Sequence, residues 1–195
     1  MDFFELVKKR RSVRAFLSVK VEKEKIEKIV EAGLWAPSGT NLQAWKIAVV
    51  ESEKMIGDLK KLTEESFQIY TRLKIEKLFG GISSIIDSSR SFAATLGGAQ
   101  TVIAVFSEKI EDEHERMIAF QSVSAVIQNI QLAVVELGLS SCWMSDVMKK
   151  GNEITSLLGL NPSEYELAAL IPIGYSEKYP KLISRKKDRV FYILK

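Results

Sequence analysis

The sequence predicts one domain of mixed α and β structure, α+β or α/β, with a sheet covered on both faces. Two observations carry this expectation. Continuous apolar runs bounded by polar residues recur at 45–50, 101–106 and 167–175, the signature of strands buried on both sides. Between them, segments 21–36, 52–79 and 112–137 repeat apolar residues at helical spacing. A length of 195 residues suits a single domain, 1–195, with a sizeable core, and neither a linker nor an internal repeat divides it.

Taken in order, a short amphipathic helix carrying Phe3, Phe4, Leu6 and Val7 leads into the basic run Lys9, Arg10, Arg11, Ser12, Val13, Arg14. Three guanidinium groups and a hydroxyl within five residues make a candidate anion clamp, because the planar Arg fork matches phosphate oxygens. The same residues would also serve as charges favourable to a helix C-terminus, as a solvated face or as a nucleic-acid patch. The second helix, with Ile26, Ile29, Val30 and Leu34 on one face, stops at Pro37, Ser38, Gly39, Thr40 and Asn41, where Pro and Gly end helical geometry. The strand 45–50 follows. Residues 52–79 read as helix with one break. The stretch 80–98, rich in Ser and Gly yet carrying Ile82, Ile85, Ile86 and Phe92, reads as neither a clean helix nor a linker, and is either a binding lid or a surface-packed helical excursion.

After the strand 101–106 comes the longest helix, 112–137, apolar nearly all round and closed by Gly138. Such a helix suits a buried position or a dimer core. Residues 140–144 are a short strand, and 152–158 a short helix closed by Gly159. In the strand 167–175, Pro172 points to a strand end or a sheet edge. The apolar run 190–194 reads as a last strand that needs a pairing partner, which a second subunit would supply. Trp35 and Trp45 are expected to pack, and Cys142 to be a buried core thiol.

Composition narrows the function. The net charge of +3, from 28 basic and 25 acidic residues, demands neither a nucleic acid nor an anionic membrane. One cysteine excludes an intrachain disulfide and a multi-thiolate metal site. The one histidine, His114, lies among charged residues at an exposed helix start, a poor setting for a catalytic base. No signal-peptide stretch and no run of membrane-span length is visible, so a soluble cytoplasmic protein is expected.

Four blocks in order then acquire a joint meaning. Arg10, Arg11, Ser12, Val13 and Arg14, then Pro37, Ser38, Gly39, Thr40, Asn41, Leu42, Gln43, Ala44 and Trp45, then Gln128 and Asn129 leading to Gly138 and Trp143, then Gly174 and Tyr175, together resemble the FMN-dependent nitroreductase family over nearly the whole chain. The resemblance implies an α+β fold with a central mixed sheet of four to five strands flanked by helices, and a homodimer whose C-terminal strand is exchanged. It also implies FMN at the subunit interface and two-electron transfer from NADH or NADPH to a small-molecule acceptor such as a nitroaromatic or a quinone.

By the same resemblance, Arg10, Arg11, Ser12 and Arg14 hold the phosphate and ribityl chain, completed by Arg185 or Lys187. Pro37, Ser38, Gly39, Thr40, Asn41 and Gln43 form the loop offered to the partner's flavin, and Trp143, Met144 and Ser145 lie against the ring, with the roof drawn from residues 63–98. No side chain need act as acid or base, since the cofactor carries the chemistry. The sequence departs from the family pattern at Ala44 and Ser176, where proline is usual, at the Met144, Ser145, Asp146 turn, and in 83–98, where Arg90 alone suggests a contact to the pyrimidine side of the flavin. Relatives of the same fold dehalogenate aromatics or cleave flavin, and a flavin-binding module without turnover is the rival from another class.

Overall fold

A computed structural model describes residues 2–194, apart from the Lys187 side chain. Four strands, β1 (Trp45–Val50), β2 (Thr101–Glu108), β3 (Ser140–Ser141) and β4 (Tyr165–Gly174), form one sheet in the order β1-β2-β4-β3. Its ladders are antiparallel, and the parallel pairing that a mixed sheet calls for is one bridge, Ser12 to Ser141.

Both faces of β2 are covered, which is why its sequence is a continuous apolar run. Ile103 and Val105 point into one cluster with Ile29, Val126 and Ile130. Val102, Ala104 and Phe106 point into the other with Leu59, Ile154 and Leu170. The first cluster belongs to helices α2 (Lys23–Leu34) and α6 (Glu113–Glu136), the second to α3 (Glu53–Ser66) and α7 (Gly151–Leu157). A bulge between Val105 and Phe106 skips one residue of β4, which leaves Ala168 and Ala169 both on the α6 side.

Gly33 sets the distance between α2 and α6, since a Cβ there would lie 2.9 Å from Ile130 Cγ1. Asp112 caps α6 by accepting from Glu115 N–H at 2.9 Å. Its other end is a left-handed turn in which Leu139 N–H reaches the Val134 carbonyl at 2.9 Å. α6 is long and apolar enough to cross a membrane by length and composition alone, where the sequence reading expects no run of that length. It packs instead against α2 and three strands as the central core helix.

Four further expectations change. The stretch 80–98 contains a helix, α5 (Ser83–Thr95), which follows α4 (Arg72–Phe79) across a left-handed Gly80. Pro172 lies inside β4, and its carbonyl accepts from Cys142 N–H at 3.3 Å. Amide and carbonyl of an extended residue point the same way, so the missing donor falls on the β3 side, just where β3 ends. Trp35 does not pack, being 80% exposed. The run 190–194 forms no strand within the chain, and Phe191 and Leu194 are more than four-fifths exposed.

Candidate flavin site

The first helix, α1 (Phe3–Lys9), ends in a turn where Arg10 N–H bonds to the Leu6 carbonyl at 3.1 Å. The chain then runs extended, with Val13 N–H bonded to the Ser141 carbonyl at 2.9 Å and the Val13 side chain buried. Extended backbone alternates its side chains, and here the alternation divides the basic motif. Arg11 and Val13 line a small pocket of about 20 Å³ with Ser140 and Gly138, and Arg11 bonds back to the Lys8 and Arg10 carbonyls at the end of α1. Arg14 lines a cavity of about 840 Å³.

Arg10 is half-buried, and its pKa is lowered first by burial, then by the nearby charges of Arg185 and Arg11. The charge of Arg185, from the C-terminal tail, is thus felt at Arg10. Arg14 and Arg10 both flank Cys142, whose thiol is pushed up by burial and only partly drawn back by those two charges. Among the described residues, Arg10, Arg11, Arg14 and Arg185 form no ion pair with a carboxylate. Like charges held near one another raise each other's free energy, and a bound dianion relieves it.

Arg14 is placed by backbone packing. Gly97, at φ +66, lies so close that a Cβ would be 2.6 Å from the Arg14 carbonyl oxygen, and Phe16 N–H bonds to the Gly97 carbonyl at 2.8 Å. The Arg14 guanidinium lies 5.8 Å from the centroid of the Phe92 ring. Ser176, where the family pattern has proline, secures the same segment from the other side, its hydroxyl donating to the Ala15 carbonyl at 2.7 Å.

The floor of the cavity is Trp143, Met144 and Ser145, and the roof comes from the end of α3, the π-helical turn Phe67–Thr71, α4 and α5, including Phe67, Leu78, Phe79 and Phe92. The roof thus lies within residues 63–98, as expected. Met144 is fixed by two backbone bonds with Leu170, at 2.9 and 3.1 Å. Ser145 N–H has no acceptor among the described residues, so the floor offers a free donor to a ligand. This donor is compatible with the ring contact that the Met144, Ser145, Asp146 turn had put in question.

Arg90 does not reach the cavity. It pairs with Glu64 at 3.1 Å and ties α5 to α3. Lys74, which the sequence did not single out, also lines the cavity, paired with Asp146 at 2.8 Å. The pair raises the Lys74 pKa through the hydrogen bond to Asp146. Helical periodicity could have placed Lys74 on the roof; nothing in the sequence links it to Asp146.

The loop 37–43 lies elsewhere. Gly39 packs on α6, where a Cβ would meet Ile118 at 2.7 Å, and Ser38 Oγ accepts from Gln43 N–H at 3.2 Å. Thr40, Asn41 and Gln43 all hold positive φ, a strained conformation that non-glycine residues keep where a site requires it. Pro37 and residues 39–43 are exposed and line neither pocket. Within one chain, then, Arg14 and the floor line one cavity, Arg10 and Arg185 feel each other's charge, and Ser12 bridges to Ser141. Arg10, Ser12 and Arg185 line neither pocket, Arg11 turns aside, the loop stands apart, and the Lys187 side chain is outside the described residues.

The nitroreductase family model matches residues 7–175, which include the motif, the loop and the floor. The chain belongs to the nitroreductase family. Among its relatives in this family is an iodotyrosine deiodinase of Thermotoga neapolitana, 29% identical over 91% of this chain and 92% of that protein. A Bacillus subtilis protein provisionally named an NAD(P)H nitroreductase, YfhC, is 26% identical over 95% and 90%. A nitroreductase from Desulfitobacterium hafniense, whose structure has bound FMN, shares the fold with a TM-score of 0.77 at 20% identity, over 97% of each chain.

Proposed function

We propose that this protein is an FMN-dependent oxidoreductase that takes electrons from NADH or NADPH and reduces small conjugated acceptors, nitroaromatics or quinones, as a homodimer. The observation that carries this is the group of guanidinium side chains without carboxylate partners among the described residues, one of which, Arg14, lines a large cavity with aromatic walls. A dianionic phosphate fits the first and a planar ring system the second.

The residues fit FMN on both counts. Arg10 and Arg185 would hold the phosphate, Arg14 on Phe92 would face the polar side of the ring, and Trp143, Met144 and the free Ser145 amide would form its floor. Bound FMN would supply two-electron redox chemistry between a nicotinamide donor and an oxidised acceptor. The protein's part is binding, orientation and exclusion of water: the roof covers the ring face, and Phe67, Leu78 and Phe79 give an aromatic acceptor apolar contact. A donor and an acceptor that share this one cavity must occupy it in turn, which gives ping-pong kinetics.

The loop 37–43 and the run 190–194 support the dimer. The loop is strained and exposed away from its own chain's cavity, and the run is apolar and unpaired. Each suits the surface of a second subunit.

A second reading is favoured by the deiodinase of Thermotoga neapolitana, which matches over nearly its full length: reductive dehalogenation of an aromatic substrate in the same cavity. Steady-state assays of the purified protein with NADH or NADPH against a nitroaromatic, a quinone and an iodophenol decide between them. The first reading expects turnover of the first two with parallel double-reciprocal lines. Iodide release with one strongly preferred halogenated compound supports the second, and FMN that neither nicotinamide reduces without oxygen would contradict both.

A further inference from the structure

A short 3₁₀ helix, Asp146–Lys150, follows directly on the floor turn, and the roof grips it at four points. Ser66 Oγ donates to the Asp146 carbonyl at 2.8 Å. Lys74 Nζ pairs with the Asp146 carboxylate at 2.8 Å. Glu65 pairs with Lys150 at 2.9 Å, and Lys149 Nζ lies 5.2 Å from the centroid of the Tyr70 ring.

Ser66, Tyr70 and Lys74 are spaced four and four. In a regular α-helix every fourth residue overshoots by about 40°, so the three would drift round the axis. The π-helical turn Phe67–Thr71 widens the repeat there and brings them back toward one face. Such turns are rare, and they are found frequently at functional sites. The grip matters because of what it adjoins. Met144 is held from below by its two bonds to Leu170, Asp146 is held from above by Ser66 and Lys74, and Ser145, which lines the cavity and whose amide has no acceptor among the described residues, lies between them.

We infer that Lys74 and Ser66 are positioning residues: through Asp146 they set the direction of the Ser145 N–H, so that a movement of the roof is transmitted to the floor on which the flavin lies. The inference deepens the flavin reading and rests on it for its catalytic consequence, whereas the grip itself does not depend on it.

Two measurements on full-length Lys74→Met, Lys74→Arg and Ser66→Ala test it. The first is amide hydrogen exchange across residues 144–147 without added FMN. Lys74→Met is expected to speed exchange by up to about fivefold, the upper range for a partly exposed ion pair, and Lys74→Arg to stay near wild type. The second is the midpoint potential and visible spectrum of the FMN-loaded protein. Lys74→Met should shift both and lower kcat with the FMN Kd unchanged, and Lys74→Arg should restore them. Unchanged exchange in Lys74→Met overturns the inference, as does faster exchange with an unshifted potential and spectrum. If Lys74→Met does not fold, Ser66→Ala gives the same two readouts with one bond removed. Wild-type protein that takes up no FMN would sink the flavin reading and the catalytic consequence, and the exchange arm would still judge the grip.

Discussion

Arg10 and Arg11 are adjacent and identical in type, and the backbone gives them different tasks. Arg10 is half-buried and feels the charge of Arg185, while Arg11 folds back onto the last carbonyls of α1. Replacing Arg10 by Ala should therefore remove a charge-assisted contact worth about 1.5–3 kcal/mol, roughly a ten- to hundred-fold rise in the FMN Kd, read by flavin fluorescence. Arg14→Ala should also weaken binding, with the fold intact by circular dichroism. Arg11→Ala should leave the Kd near wild type and lower stability instead. Gly97 is a second single-residue constraint: with φ +66 and the Arg14 carbonyl 2.6 Å from a would-be Cβ, Gly97→Ala should cost on the order of 2 kcal/mol in urea unfolding. The sequence showed the charges of the motif and could not show this division, because whether Arg11 points with Arg10 or away depends on the strand-like pairing of Val13 with Ser141.

At the scale of elements, β2 and β4 were legible because both of their faces are buried, which writes apolar runs at 101–106 and 167–175, while β1, half-exposed at the sheet edge, still shows as the run 45–50 with Lys46 breaking it. The helix α5 was not. Five of its thirteen residues are serine, a residue whose side chain competes with helical hydrogen bonding, and tertiary contacts override that weak propensity. Phe92 and Ala93 are buried, and Thr63 Oγ1, itself 1% exposed, donates to the Ala93 carbonyl at 2.5 Å. Thr63→Val keeps the shape and removes that donor, at a cost of about 1–3 kcal/mol. Its visible effect should be local, as faster proteolytic cleavage between α4 and α5. The π-helical turn had no signal at all, since five ordinary helix-compatible residues, Phe67, Gln68, Ile69, Tyr70 and Thr71, spell it; Ser66 and Lys74, on either side of it, both reach Asp146.

The whole molecule leaves apolar surface uncovered at α1, at Trp35 and along 190–194, and keeps its strained loop away from its own cavity. Those features fit an assembly in which each site is completed by a second copy. For the proposed dimer, deleting residues 190–195 should shift the protein toward monomer by light scattering and weaken FMN binding in parallel, because the loop 37–43 would then be lost from the proposed site. The family was legible from the ordered blocks; the cavity, the charge of Arg185 felt at Arg10 and the roof's hold on the floor required the fold, since each joins residues far apart in the chain.

The most direct measurement is the visible absorbance of the pure protein after incubation with FMN and removal of free ligand, read before and after anaerobic addition of NADH and of NADPH. The account predicts a bound flavin spectrum at one FMN per chain, bleached by at least one of the two donors. Protein that remains colourless would contradict it.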